Sequence, residues 1–184
     1  MLKIEQKVEE HPVDRPGHLP ENLFELDKPK VFRGLVGDWP VVQAAKNSPA
    51  AVENYLRRFY ESEPVNAVYG KPGQEGRLFY NEDLSGFNFE AVRARLDRVL
   101  DDMRRQSEVP RPAGIYMGST PVDRVLPGFR SENDFSFEGV DPLVFIWIGN
   151  RSRIAAHHDL PDNLACCAAG RRRFSLFPPS EIRN

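Results

Sequence analysis

The chain has 184 residues with a net charge of −2, 40% hydrophobic and 28% charged residues. That composition is enough for one soluble domain with a buried core, and the charge gives no reason to invoke nucleic acid or an anionic membrane as partner. No apolar run approaches the roughly 20 residues that cross a bilayer, and the N-terminus lacks a signal-peptide core, so a cytoplasmic location is the expectation.

Residues 1–28 are polar and interrupted by Pro12, Pro16 and Pro20. They read as an arm on the domain surface, with His11 and His18 solvated. A short strand is expected over Val31–Leu35, followed by a turn at Gly37-Asp38-Trp39-Pro40. Ser48 before Pro49 is an N-cap and first-turn pair, predicting a helix from Ala50 to about Tyr60 with Val52, Tyr55, Leu56 and Phe59 on one stripe. Val65–Tyr69 alternates as a strand. The turn Lys71–Gly76 would return Arg77–Tyr80 as its hairpin partner. Asn88 is placed to cap a second helix, with Phe89, Val92, Leu96, Val99, Leu100 and Met103 at helical spacing. The arginines of that segment alternate with acids, the pattern of a solvated face.

Gly114–Ser119 reads as a strand with Ile115 and Met117 opposite Tyr116. Residues 120–140 read as irregular. Leu143–Ile148 is a near-continuous apolar run, the mark of a buried strand. Two further strands are expected at 163–168 and 172–177, hinged at Gly170. The only cysteines, Cys166 and Cys167, are adjacent. Their spacing strains any mutual disulfide, and they read as small core-filling residues. Helices and strands first, then strands alone, make an α+β chain whose second half builds a β-sandwich or barrel.

The candidate chemistry lies in residues 154–179. His157 and Asp159 stand two apart, so on extended chain both project to one side and can grip one metal ion. His158 projects the other way. The alternation of Arg172, Phe174 and Leu176 places a cation on an apolar, inward row, and a buried arginine demands an anion. Asn163 lies between the two features. A metal beside a cation suits a ligand with two negative ends, such as 2-oxoglutarate. One end would chelate the metal and the other would meet the guanidinium. A lone His-x-Asp also arises by chance in surface loops.

His157-His-Asp159, Asn163-Leu, Gly170-Arg-Arg-Arg-Phe and Leu176-Phe-Pro-Pro, with Phe32-Arg-Gly-Leu-Val-Gly-Asp-Trp-Pro40 and Tyr116-Met-Gly upstream, resemble the cupin-like, JmjC-type 2-oxoglutarate oxygenases related to an asparaginyl hydroxylase. The resemblance covers residues 29–184 and implies N-terminal helices and strands leading into a double-stranded β-helix (the cupin or jelly-roll fold). It implies Fe(II) and 2-oxoglutarate as cofactors, O2 as cosubstrate, and hydroxylation of a protein or peptide side chain. His157 and Asp159 would be catalytic metal ligands; Tyr116, Arg172 and Asn163 would line the cosubstrate pocket. Two positions depart from the family pattern: Arg172 stands where lysine is usual, and Ile154 where some relatives carry a hydroxyl. No histidine follows His158, so the second histidine ligand and the closing strands are expected beyond residue 184, and this chain is expected to be a fragment that binds iron weakly and turns over little or nothing. An open sheet edge would favour a homodimer. Two other readings stay open: a non-catalytic cupin-like module binding a small anion or a protein partner, and an unrelated β-rich domain.

Overall fold

The computed structural model describes residues 6–183. Strand β1 (Glu9–Pro12) pairs in parallel with β2 (Lys30–Arg33). The ladder is reinforced where the Arg33 guanidinium donates to both Glu10 carboxylate oxygens at 2.9 and 2.6 Å. His11 is half-buried rather than solvated, its ring 6.0 Å from that of Phe32, while His18 is exposed. The expected turn forms, over residues 34–38, and leads into helix α1 (Pro40–Asn47), with Pro40 at its first position. Ser48 ends α1 and begins α2 (Pro49–Arg57), its hydroxyl accepting from the Ala51 N–H at 3.0 Å. The cap is as expected from Ser48-Pro49.

The main sheet has four antiparallel strands in the order β5-β3-β6-β7. These are β3 (Val65–Gly70), β5 (Phe89–Ala94), β6 (Ile115–Pro121) and β7 (Phe145–Gly149). The expected hairpin from β3 into Arg77–Tyr80 does not form, because both edges of β3 are taken by β5 and β6. Strand β4 (Arg77–Leu78) pairs in parallel with β8 (Arg153–Ile154) instead. Gly76 makes that crossing possible. Its φ is +72°, and a Cβ there would sit 1.7 Å from the Arg151 carbonyl oxygen. Only glycine fits so close a backbone approach.

Asn88 does not cap a helix. Its side chain accepts from the Phe79 N–H at 2.8 Å and donates to the Arg77 carbonyl at 2.9 Å. Residues 89–94 are the strand β5, and helix α3 begins only at Leu96 (Leu96–Ser107). Pairing with β3 outweighs the helical spacing of Phe89 and Val92, which is a local preference of a fraction of a kcal/mol per residue. The arginines around α3 lie on a solvated face as expected, and they meet acids there, Arg104 meeting Glu53 and Arg105 meeting Asp102; Arg57 of α2 meets Asp97 and Asp101.

The core lies between the sheet and the helices. Leu96, Val99 and Leu100 of α3 meet Val65 and Ala67 of β3 and Ile115 and Met117 of β6. Residues 120–140 are more ordered than their composition suggests. They hold the short helix α4 (Val122–Val125), a 3-10 turn at Phe129–Ser131 and the buried Asn133. The Asn133 side chain accepts from the Val41 N–H at 3.0 Å and donates to the Tyr55 hydroxyl and the Phe129 carbonyl. It ties α1, α2 and the 3-10 turn together.

Three expectations fail near the C-terminus. Strand β7 is an edge strand, not a buried one, with Trp147 42% exposed, and Leu143 before it is 85% exposed. Residues 163–168 and 172–177 form no strands, and Phe174, Leu176 and Phe177 are more than half exposed. Alternation makes a strand only where another strand offers its backbone. Among the described residues none faces this segment, and residues 156–177 make no backbone-to-backbone hydrogen bond. Cys166 and Cys167 are exposed rather than core-filling, although Ala168 beside them packs against the core. The Cys166 sulfur is still surrounded closely enough, near Asp134, that desolvation pushes the thiol up to about 11. Among the described residues no helix is long and apolar enough to cross a membrane.

Candidate metal and dicarboxylate site

The site begins with Tyr116 on β6. Ile115 and Met117 point into the core at 1% and 0% exposure, so Tyr116 projects from the opposite face, as the alternation predicts. Two glycines make room for its ring. A Cβ at Gly118 would lie 2.8 Å from Tyr116 Cε1, and one at Gly149, its cross-strand partner on β7, would lie 2.9 Å from Cδ2. The ring therefore lies along the sheet between two positions that lack side chains. Sequence reasoning missed both glycines. The Tyr-x-Gly spacing marks Gly118, but the partnership of Gly149 depends on register.

Beyond β8 the chain passes back over this face. Arg172 and Asp159 both lie close enough to the Tyr116 hydroxyl to act on it electrostatically. Burial pushes the Tyr116 hydroxyl above its ordinary pKa, Arg172 opposes that shift, and Asp159 adds to it. The hydroxyl stays protonated at neutral pH and is a hydrogen-bond donor. Arg172 itself is exposed, contrary to the inward row expected from its alternation with Phe174 and Leu176. Without a facing strand, that row has no interior to enter. The Arg172 guanidinium sits 5.8 Å from the Phe174 ring centroid.

His157 and Asp159 come together on their own loop, with Nε2 3.7 Å from Oδ2 and both side chains 61% exposed. The Nδ1 atom of His157 lies 2.9 Å from the Ala155 carbonyl oxygen. A carbonyl accepts only, so Nδ1 carries the proton and Nε2 presents its lone pair on the side of Asp159. This is the tautomer a metal ligand needs, fixed by a backbone carbonyl behind it. The 3.7 Å separation is less than twice a metal–ligand bond of about 2.1 Å, so one divalent ion can reach both donors. Among the described residues, no group of three His, Cys, Asp or Glu side chains could hold a metal.

Asn163 is not drawn into this cluster by its hydrogen bonding. Its amide donates to the Pro161 carbonyl at 3.0 Å and shapes the loop. His158 is exposed, and Ile154 on β8 is 40% exposed. The structure thus places Arg172 and Asp159 each near Tyr116, with His157 beside Asp159, and leaves Asn163 in a local turn.

A comparison with curated proteins finds no match for this chain. The family model described as the cupin-like domain matches residues 16–184, reaching back into the polar arm and forward through the whole C-terminal segment. With nearly its whole length matched, this mixed α/β chain built on a four-stranded antiparallel sheet belongs to the cupin-like domain family.

Proposed function

We propose that this cupin-like domain acts as an Fe(II)- and 2-oxoglutarate-dependent oxygenase on a protein or peptide side chain. The family includes oxygenases of that kind. The observation that carries the reading is the His157–Asp159 pair, 3.7 Å apart, with Asp159 and Arg172 both near the Tyr116 hydroxyl. A guanidinium can hold a carboxylate bidentately, and a protonated tyrosine adds one more donor. Together they match the far carboxylate of a dicarboxylate whose other end chelates a metal. Asp159 supplies the anionic ligand, and His157 a neutral nitrogen whose tautomer is set by Ala155.

Iron, 2-oxoglutarate and O2 would together supply the oxidising chemistry: oxidative decarboxylation to succinate and CO2, with one oxygen atom of O2 going to succinate and the other to a C–H bond. The chain's own residues position and neutralise. Arg172 offsets the charge of the distal carboxylate, and Tyr116 fixes its direction. Gly118 and Gly149 keep the Tyr116 ring against the sheet. Asn163 would stand at the rim of the pocket.

A second reading is favoured by one observation. The described residues offer two donors and no third for a metal, which suits a binding module for a small dianion with weak metal affinity. Succinate release separates the two. The full-length protein, incubated with ferrous iron, ascorbate, 2-oxoglutarate and candidate peptides, should release succinate above a His157→Ala control. Release no higher than that control, with 2-oxoglutarate still bound, leaves the binding module.

A further inference from the structure

Strand β6 carries one residue more than β7 can match. Met117 stands opposite Ile148 and Thr120 opposite Ile146, so Gly118 and Ser119 together face Trp147. This is a β-bulge, and Ser119, with a φ of 45°, takes up the extra residue. The insertion turns Thr120 back to the core side, where it is 6% exposed.

The bulge also aims Trp147. Ile146 and Ile148 pack on the core, so Trp147 between them projects from the opposite face of the sheet, the face of Tyr116. Gly118 leaves an empty place there, and the indole leans into it. A Cβ at Gly118 would lie 3.3 Å from Trp147 Cδ1, 3.3 Å from Tyr116 Cζ and 2.8 Å from Tyr116 Cε1. One glycine thus seats two rings, and the indole borders the hydroxyl-bearing end of the phenol. These contacts lie inside the paired strands β6 and β7. Paired residues flank the bulge on both sides, so the indole cannot withdraw without disturbing the ladder.

We infer that Trp147 sets the length of the dicarboxylate that this site accepts. The inference rests on the oxygenase reading, in which the Tyr116 hydroxyl meets the far carboxylate of 2-oxoglutarate. The indole fills the space next to that hydroxyl, so the carboxylate is seated against a flat, rigid wall. A keto diacid one methylene longer, 2-oxoadipate, must press its chain or its carboxylate into the indole. A close-fitting pocket separates ligands that differ by one methylene by about 10- to 200-fold.

The test is calorimetric titration of the full-length protein, loaded with Mn(II), with 2-oxoglutarate and with 2-oxoadipate. The parent should bind 2-oxoglutarate at least about tenfold more tightly than 2-oxoadipate. In Trp147→Leu the affinity for 2-oxoadipate should rise about tenfold, while that for 2-oxoglutarate should change by less than about threefold. Trp147→Phe should fall between the two, and it carries the same comparison if Trp147→Leu alters the circular dichroism. Saturating 2-oxoglutarate should also change the tryptophan emission of the parent but not that of Trp147→Phe, which keeps Trp39 on the Phe135 ring at 4.9 Å. An unaltered preference in both variants, equal weakening of the two acids, or an emission change that survives in Trp147→Phe would overturn the inference and leave the oxygenase reading standing. Binding of neither acid by the parent overturns both.

Discussion

Residues 30–154 and residues 155–178 are built on opposite plans. The first region closes its backbone into a four-stranded sheet and buries residues such as Leu96, Met117 and Leu126 completely. The second makes almost no backbone hydrogen bonds and leaves its large apolar side chains in solvent. Yet most of the candidate chemistry, from His157 to Arg172, sits on the second region. The first contributes Tyr116 and the glycine slot that holds it. The stability of the domain and the composition of its site are therefore carried by different residues, and substitutions should divide along that line.

The sharpest division should appear in amide hydrogen exchange. Amides of β3 and β6 should be protected by about 1,000-fold or more, approaching the global unfolding equilibrium, while those of residues 156–177 should exchange within about tenfold of free peptide. Strong protection of that segment would erase the comparison. In the body, Leu96→Ala should cost about 4 kcal/mol in chemical denaturation, since it empties a fully buried position between α3 and the sheet. Asn133→Ala should cost about 2 kcal/mol, because it orphans the buried Val41 N–H, while the Phe129 carbonyl keeps the Glu132 N–H. Phe174→Ala, on an exposed ring, should change stability by less than about 0.5 kcal/mol. A large loss there would mean that the C-terminal run packs against the body.

Sequence reasoning reached what is local. Ser48-Pro49 announced its helix because a hydroxyl cap and a first-turn proline act within a few residues. The outward direction of Tyr116 followed from strand alternation alone. What it missed depends on distant partners. Helix α1 has only eight residues, too few for a clear apolar stripe, and is secured by Asn133 from far along the chain. Residues 89–94 carry helical spacing but pair with β3, a choice made by the sheet. The expected strands at 163–168 and 172–177 have strand-like alternation and no partner. The His157–Asp159 pair was legible because its two residues are neighbours in sequence. The slot of Gly118 and Gly149 was not, because the register of β6 against β7 creates it.

The central claim is that Tyr116 and Arg172 cradle a dicarboxylate while His157 and Asp159 hold the metal beside it. Calorimetric titration of 2-oxoglutarate in the presence of Mn(II), with Mn(II) binding followed separately by electron paramagnetic resonance, tests it most directly. Arg172→Ala should weaken 2-oxoglutarate binding by about tenfold or more and leave Mn(II) affinity unchanged, while His157→Ala should lower Mn(II) affinity. No 2-oxoglutarate binding by the parent chain, or equal loss of both ligands in Arg172→Ala, would contradict it.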